Sequence, residues 1–118
     1  MSAHAEPPQY DCEVVPERDH VRIAPTGELD IASTPTLAQT IRELRSAGFD
    51  HLILDLRNVC FVDSTGVRLI LDLTSAARQD SHRFELIPGS PEVQRVFELT
   101  GVLHELPFRA SVDGRRRC

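Results

Sequence analysis

Strands and helices alternating along one short chain predict an α/β fold: a mostly parallel β-sheet with an antiparallel edge and helices packed on the sheet. Three observations carry this reading. Apolar runs too short for helices recur between segments with helical spacing. Two of these runs, Cys12 to Val15 and Val21 to Ala24, are joined only by a polar turn through Glu17, Arg18 and Asp19, as in an antiparallel pair. The chain has 118 residues, 41% of them hydrophobic, which fits one domain of roughly 100–150 residues with its own core.

The elements follow in order. Residues 1–10 are polar, contain proline and lack the apolar segment of a signal peptide, so they read as a flexible leader. Pro25 has no N–H, so its strand is expected to end there or to hold it at an unpaired position. Ser33 or Thr34 is expected to cap a helix with Pro35 in its first turn. That helix carries Leu37, Ile41 and Leu44 and stops at Gly48. Leu52-Ile53-Leu54 reads as a central strand buried on both faces. A second helix opens at Asp63-Ser64 and runs to about Gln79. Phe84 to Ile87 forms a strand closed by Pro88-Gly89. A third helix begins at Ser90-Pro91, with Val93, Val96 and Phe97 on one side, and ends before Gly101. Val102 to Phe108 is a final strand or turn. Residues 109–118, with Arg115-Arg116-Arg117, read as a flexible basic tail. The domain is therefore expected over 11–108.

Composition narrows function. Eighteen acidic against thirteen basic residues give a formal charge of −5, which argues against direct nucleic-acid binding, whose electrostatic footprint is a basic face. No apolar run reaches the ~20 residues that span a bilayer. Cys12, Cys60 and Cys118 form no C-x-x-C pair, and Cys60, within Val59-Cys60-Phe61-Val62, reads as a small buried hydrophobe. These features predict a cytoplasmic protein without a membrane segment.

The segment Val62-Asp63-Ser64-Thr65-Gly66-Val67 joins a strand to a helix and carries the most information. A nucleophile elbow requires G-x-S-x-G, and the first glycine is absent. A phosphate-binding P-loop requires a glycine followed by lysine, and the chain has no such pair. His4, His20, His51, His82 and His104 show no metal-ligand spacing. No catalytic residue, cofactor or metal is expected. At 100° per residue, Ser64, Arg68, Asp72, Ser75 and Gln79 share one stripe of the helix, with apolar residues filling most of the rest. Read by periodicity alone, Asp63 or Ser64 is a helix cap contributing about 1 kcal/mol.

Three segments together resemble the STAS family, specifically the bacterial anti-sigma-factor antagonists: Thr26-Gly27-Glu28-Leu29-Asp30, Asp63-Ser64-Thr65-Gly66, and Ser90 to Gly101 with its Pro91-Glu92-Val93-Gln94-Arg95-Val96-Phe97 core. The resemblance covers about Tyr10 to Phe108 and implies the STAS fold. It also implies a partner switch. By position Ser64 is the serine that an anti-sigma factor with GHKL-type serine kinase activity phosphorylates. The unphosphorylated domain then binds that factor and releases the sigma factor, and a phosphoserine phosphatase resets it. Asp30 matches the family aspartate near that serine, and Asp30, Asp63, Ser64, Thr65, Gly66 and Arg68 are the implied partner-binding residues. The domain would be a monomer when free, and substrate rather than enzyme.

The chemistry is compatible with such a switch. A phosphate brings about −1.5 to −2 charges, and free N–H groups at a helix start are expected to tolerate it. Burying it against a partner is costly. Arg68 departs from the family pattern, which commonly has a glycine there. It is expected to narrow kinase choice, to pair with phospho-Ser64, or simply to pair with Asp72 in solvent. The alternative function is a STAS binding or scaffold module whose Ser64 is not phosphorylated.

Overall fold

Every strand pairing in the computed structural model, which describes residues 10–109, runs through the second strand or its neighbour. Strand β1 (Asp11–Pro16) pairs antiparallel with β2 (Val21–Leu29), from Asp11↔Thr26 to Pro16↔Val21. The remaining pairings are parallel. The first part of β2 pairs with β3 (His51–Asp55), and its last part, Gly27 to Leu29, pairs with β4 (Val59–Val62). Strand β5 (Arg83–Ile87) lies on β3, giving the order β1-β2-β3-β5 with β4 on the end of β2. The predicted mostly parallel sheet with an antiparallel edge is the one observed.

Strand β2 does not end at Pro25. The proline falls in the gap between the β3 pairing, which stops at Ile23, and the β4 pairing, which starts at Gly27. The missing N–H is therefore tolerated within a continuous strand.

Three helices cover the sheet: α1 (Thr34–Ser46), α2 (Ser64–Asp80) and α3 (Pro91–Leu99). Their buried faces, with Leu37 and Ile41, Val67 and Ile70, and Val93 and Phe97, meet Ile23, Leu52, Leu54 and Leu86 in one core. Leu52, Ile53 and Leu54 are all buried, as a central parallel strand requires. Helix α1 is closed by its C-cap Ala47 and then Gly48, whose φ of +100° is accessible to glycine without a side-chain clash. Helix α3 is capped by Ser90, whose Oγ accepts from Val93 N–H at 3.2 Å, while Gln94 Oε1 accepts from Gly89 N–H at 2.8 Å. The third family-like segment thus serves to seat α3, which packs against β4.

Several local expectations change. Ser33 does not cap α1 with its side chain; its Oγ instead donates to the Glu28 carbonyl at 2.6 Å. The last apolar piece forms a 3-10 turn, Leu103–Glu105, and a single parallel bridge of Phe108 to Leu86. Cys60 is half-buried rather than buried, while Val59 and Val62 of the same strand are buried. Of the expected leader and tail, residues 1–9 and 110–118 lie outside the described residues. Tyr10 packs on the core, and Arg109 donates its N–H to the Leu86 carbonyl at 2.8 Å. No helix among the described residues is long and apolar enough to cross a membrane.

One buried charge supports the turn between β3 and β4. Asp55 is 2% exposed. Its Oδ1 accepts from Arg57 N–H and Nε–H at 3.0 Å each, and its Oδ2 from Arg57 Nη2 at 2.8 Å and Arg22 Nη1 at 3.2 Å. Burial pushes this carboxyl up, but the Arg57 hydrogen bonds and the Arg57 and Arg22 charges outweigh it and hold the carboxyl below its ordinary value. Asp55→Asn is expected to lower stability by about 2–3 kcal/mol, less than for a fully buried pair because both guanidiniums reach water. Because the folded carboxyl is the stronger acid, its contribution is complete above the unfolded value and fades as pH falls through the folded one. Urea denaturation of both proteins should show their difference shrinking below about pH 4. A difference independent of pH in that range would remove the charge as its cause.

Candidate functional site

The register of β2 against β4 places two acids side by side. Leu29 aligns with Val62, and each strand then leaves the sheet through an aspartate, Asp30 after β2 and Asp63 after β4. This is the carboxyl end of parallel strands, where α/β sheets present their binding residues.

Both aspartates hold a turn. Asp63 has an extended backbone, donates its N–H to the Leu29 carbonyl at 3.1 Å, and accepts on Oδ1 from Thr65 N–H at 2.8 Å and Gly66 N–H at 3.1 Å. It is the true N-cap of α2, which leaves Ser64 as the first helical residue. Asp30 Oδ1 accepts from Ala32 N–H at 3.0 Å and Ser33 N–H at 3.1 Å. It therefore organises the turn into α1 in the place expected of Ser33.

Ser64 is exposed, Thr65 is half-buried and Gly66 is buried. A Cβ on Gly66 would stand 2.8 Å from the Leu29 carbonyl oxygen and 2.9 Å from Val62 Cγ1. Glycine thus lets the first turn of α2 press onto the end of β2, which sets the position of Ser64. The five residues of the expected polar stripe, Ser64, Arg68, Asp72, Ser75 and Gln79, are all exposed.

Two details differ from expectation. The amides of Thr65 and Gly66 are already committed to Asp63, so they are not free to receive an anion on Ser64. The Arg68–Asp72 pair is not formed, and Arg68 has no carboxylate partner among the described residues. Arg68 follows Ser64 by four residues, about one helical turn, on the same exposed stripe.

Sequence reasoning missed two apolar residues beside the acids. Ile31, directly after Asp30, is 75% exposed, and Phe61, two residues before Asp63, is 49% exposed. Exposed large apolar side chains next to polar groups are the usual anchors of a protein interface. Ile31 was detectable as a lone apolar residue in a polar turn. Phe61 was concealed by its apolar neighbours.

The histidines at the opposite strand ends are occupied otherwise. His20 contacts Glu17 at 3.0 Å and Asp19 at 2.9 Å, and His51 contacts Glu85 at 3.0 Å. Among the described residues, no group of three or more His, Cys, Asp or Glu side chains could hold a metal ion. The geometry at Asp30, Asp63 and Ser64 is that of a rigid, acidic, partly apolar surface built around one exposed hydroxyl.

A family model described as the STAS domain matches residues 13–114. An anti-sigma-B factor antagonist of Staphylococcus aureus is 32% identical over 76 residues, covering 64% of this chain and 70% of the relative. Among solved structures, an anti-sigma factor antagonist from Mycobacterium paratuberculosis superposes with a TM-score of 0.75 at 24% identity, over 89% of each chain. The anti-sigma factor antagonist SpoIIAA in its unphosphorylated form gives 0.69 at 25% identity, over 89% of this chain and 90% of that one. SpoIIAA from Bacillus in its phosphorylated form gives 0.64 at 24% identity, over 89% and 93%.

Proposed function

Because the chain belongs to the STAS domain family, we propose that it is an anti-sigma-factor antagonist that works by binding, with Ser64 as its switch. Unmodified, it holds an anti-sigma factor and thereby frees a sigma factor for transcription. Phosphorylation of Ser64 by that anti-sigma factor, acting as a GHKL-type serine kinase, ends the binding. A phosphoserine phosphatase restores it. The protein works in the cytoplasm and is a monomer when free. Asp30, Asp63, Ser64, Thr65, Gly66 and Arg68 form the contact surface, with Ile31 and Phe61 as apolar anchors.

The observation that carries this reading is the division of labour at the start of α2. Asp63 caps the helix, so the neighbouring Ser64 is exposed and has no structural hydrogen bond to lose among the described residues. Its Oγ can attack the γ-phosphorus of ATP bound to the kinase. The bond to ADP breaks, and the hydroxyl proton passes to a base on the kinase. The modified residue leaves the cap intact. The existence of SpoIIAA in both phosphorylated and unphosphorylated forms supports the same reading.

The test is an ATP phosphorylation assay with candidate anti-sigma kinases on the wild type, Ser64→Ala, Thr65→Ala and Arg68→Gly. The wild type and Thr65→Ala should each gain one phosphate, and Ser64→Ala none. Uptake by Ser64→Ala but not by Thr65→Ala would move the site. Binding of an anti-sigma factor without any phosphorylation would favour a STAS scaffold module instead. With the Thr65 and Gly66 amides occupied, Arg68 is the cation placed to meet the phosphate. Arg68→Gly should therefore change the phosphorylation rate or the partner affinity, and no change in either would end its role.

A further inference from the structure

Far from Ser64, the C-terminal halves of α1 and α2 leave a cleft of about 400 Å³ over the starts of β3 and β5. Its walls include Ile41, Leu73 and Phe84, and its charged lining is Arg42, Arg45 and Asp80. The volume lies within the range of small-molecule sites, roughly 300–1,000 Å³, and the mixture of apolar walls and few polar groups is typical of them.

The polar groups define the chemistry of an occupant. Arg42 is exposed, gives one hydrogen bond to Gln39 Oε1 at 2.6 Å, and has no carboxylate partner among the described residues. Among the described residues Arg45 donates only through Nη1, toward the Phe49 carbonyl at 2.8 Å and Asp50 Oδ1 at 3.0 Å. Both guanidiniums retain donors suited to a carboxylate. His82 also lines the cleft, and its Nδ1 is buried without a hydrogen-bond partner among the described residues. An unpartnered buried polar atom of this kind is costly and gains from a ligand that satisfies it. Asp80 opposes an anion and Asp50 already pairs with Arg45, so the net cationic pull on a head group comes from Arg42, with the unused donors of Arg45 beside it.

We infer that this cleft binds a small amphipathic carboxylate, with its apolar tail between Ile41, Leu73 and Phe84 and its head on Arg42 and Arg45. The site is independent of the Ser64 switch, so neither proposal depends on the other.

The test is titration of sodium decanoate, below its micelle-forming concentration, into the ¹⁵N-labelled full chain. Saturable amide shifts are expected at Ile41, Leu73, His82 and Phe84, and not at Ile31 or Ser64. Decyltrimethylammonium, with the same tail and the opposite charge, should bind about tenfold more weakly or worse, as should decanoate to Arg42→Glu. Leu73→Trp should block the cleft. Unchanged melting temperatures would establish that both variants remain folded, and a variant that melts early would be replaced by Arg42→Gln in the same comparison. Absence of saturable shifts, or equal binding of both head groups, would overturn the inference.

Discussion

Ser64→Glu is expected to weaken binding of the proposed anti-sigma partner by about 100-fold or more, while the unfolding midpoint stays that of the wild type. The two halves of this result have separate causes. Ser64 is the first residue of α2 and is exposed, so a carboxylate there remains solvated in the free protein and lies favourably in the helix dipole. In the complex it would be desolvated beside Asp63, with Asp30 at the neighbouring strand end. Burying such a charge without a partner costs several kcal/mol, and about 3 kcal/mol corresponds to roughly 100-fold. Arg68 offsets part of this, because it lies one helical turn away and has no carboxylate partner among the described residues. Isothermal titration calorimetry, with urea denaturation of the free proteins, measures both halves. An affinity within a few fold of wild type would exclude Ser64 from the interface.

Gly66→Val should cost about 3 kcal/mol or more and reduce partner binding among the molecules that remain folded. The added Cβ meets the Leu29 carbonyl oxygen and Val62 Cγ1 inside ordinary contact distance, and backbone cannot move aside without displacing the helix. The displacement would pull Thr65 and Gly66 away from Asp63 Oδ1, undoing the cap that places Ser64. Gly101→Ala provides the comparison. Its φ of +78° is strained for alanine, but a Cβ there meets nothing within 4 Å, so it should cost only about 1 kcal/mol. Equal losses at the two glycines, measured by chemical denaturation, would contradict the close-approach account.

The helical stripe shows how much of this surface was readable beforehand. Ser64, Arg68, Asp72, Ser75 and Gln79 fall on one face by rotation alone, and all five are exposed because α2 packs its other faces on the sheet and on its neighbours. The buried run Leu52-Ile53-Leu54 was equally clear, since a strand covered on both faces needs apolar residues at every position. Pro25 and Ser33 were less readable. A proline is compatible with a strand only where the neighbouring strands leave a gap, and that gap depends on where β3 ends and β4 begins. The choice of Asp30 over Ser33 as the turn's acceptor depends on the direction in which β2 delivers the chain.

Local sequence alone determined the α/β class, the start and exposed face of α2, and the resemblance that singles out Ser64. Each is read from short segments in which periodicity, capping chemistry and motif residues operate locally, taken in their order along the chain. Tertiary structure decided that Asp30 and Asp63 leave the sheet side by side, that Gly66 touches the end of β2, that Phe61 faces solvent, and that Arg42 and Arg45 border an apolar cleft. These features join residues far apart in sequence. Strand register and helix packing set such contacts, and no local pattern encodes them.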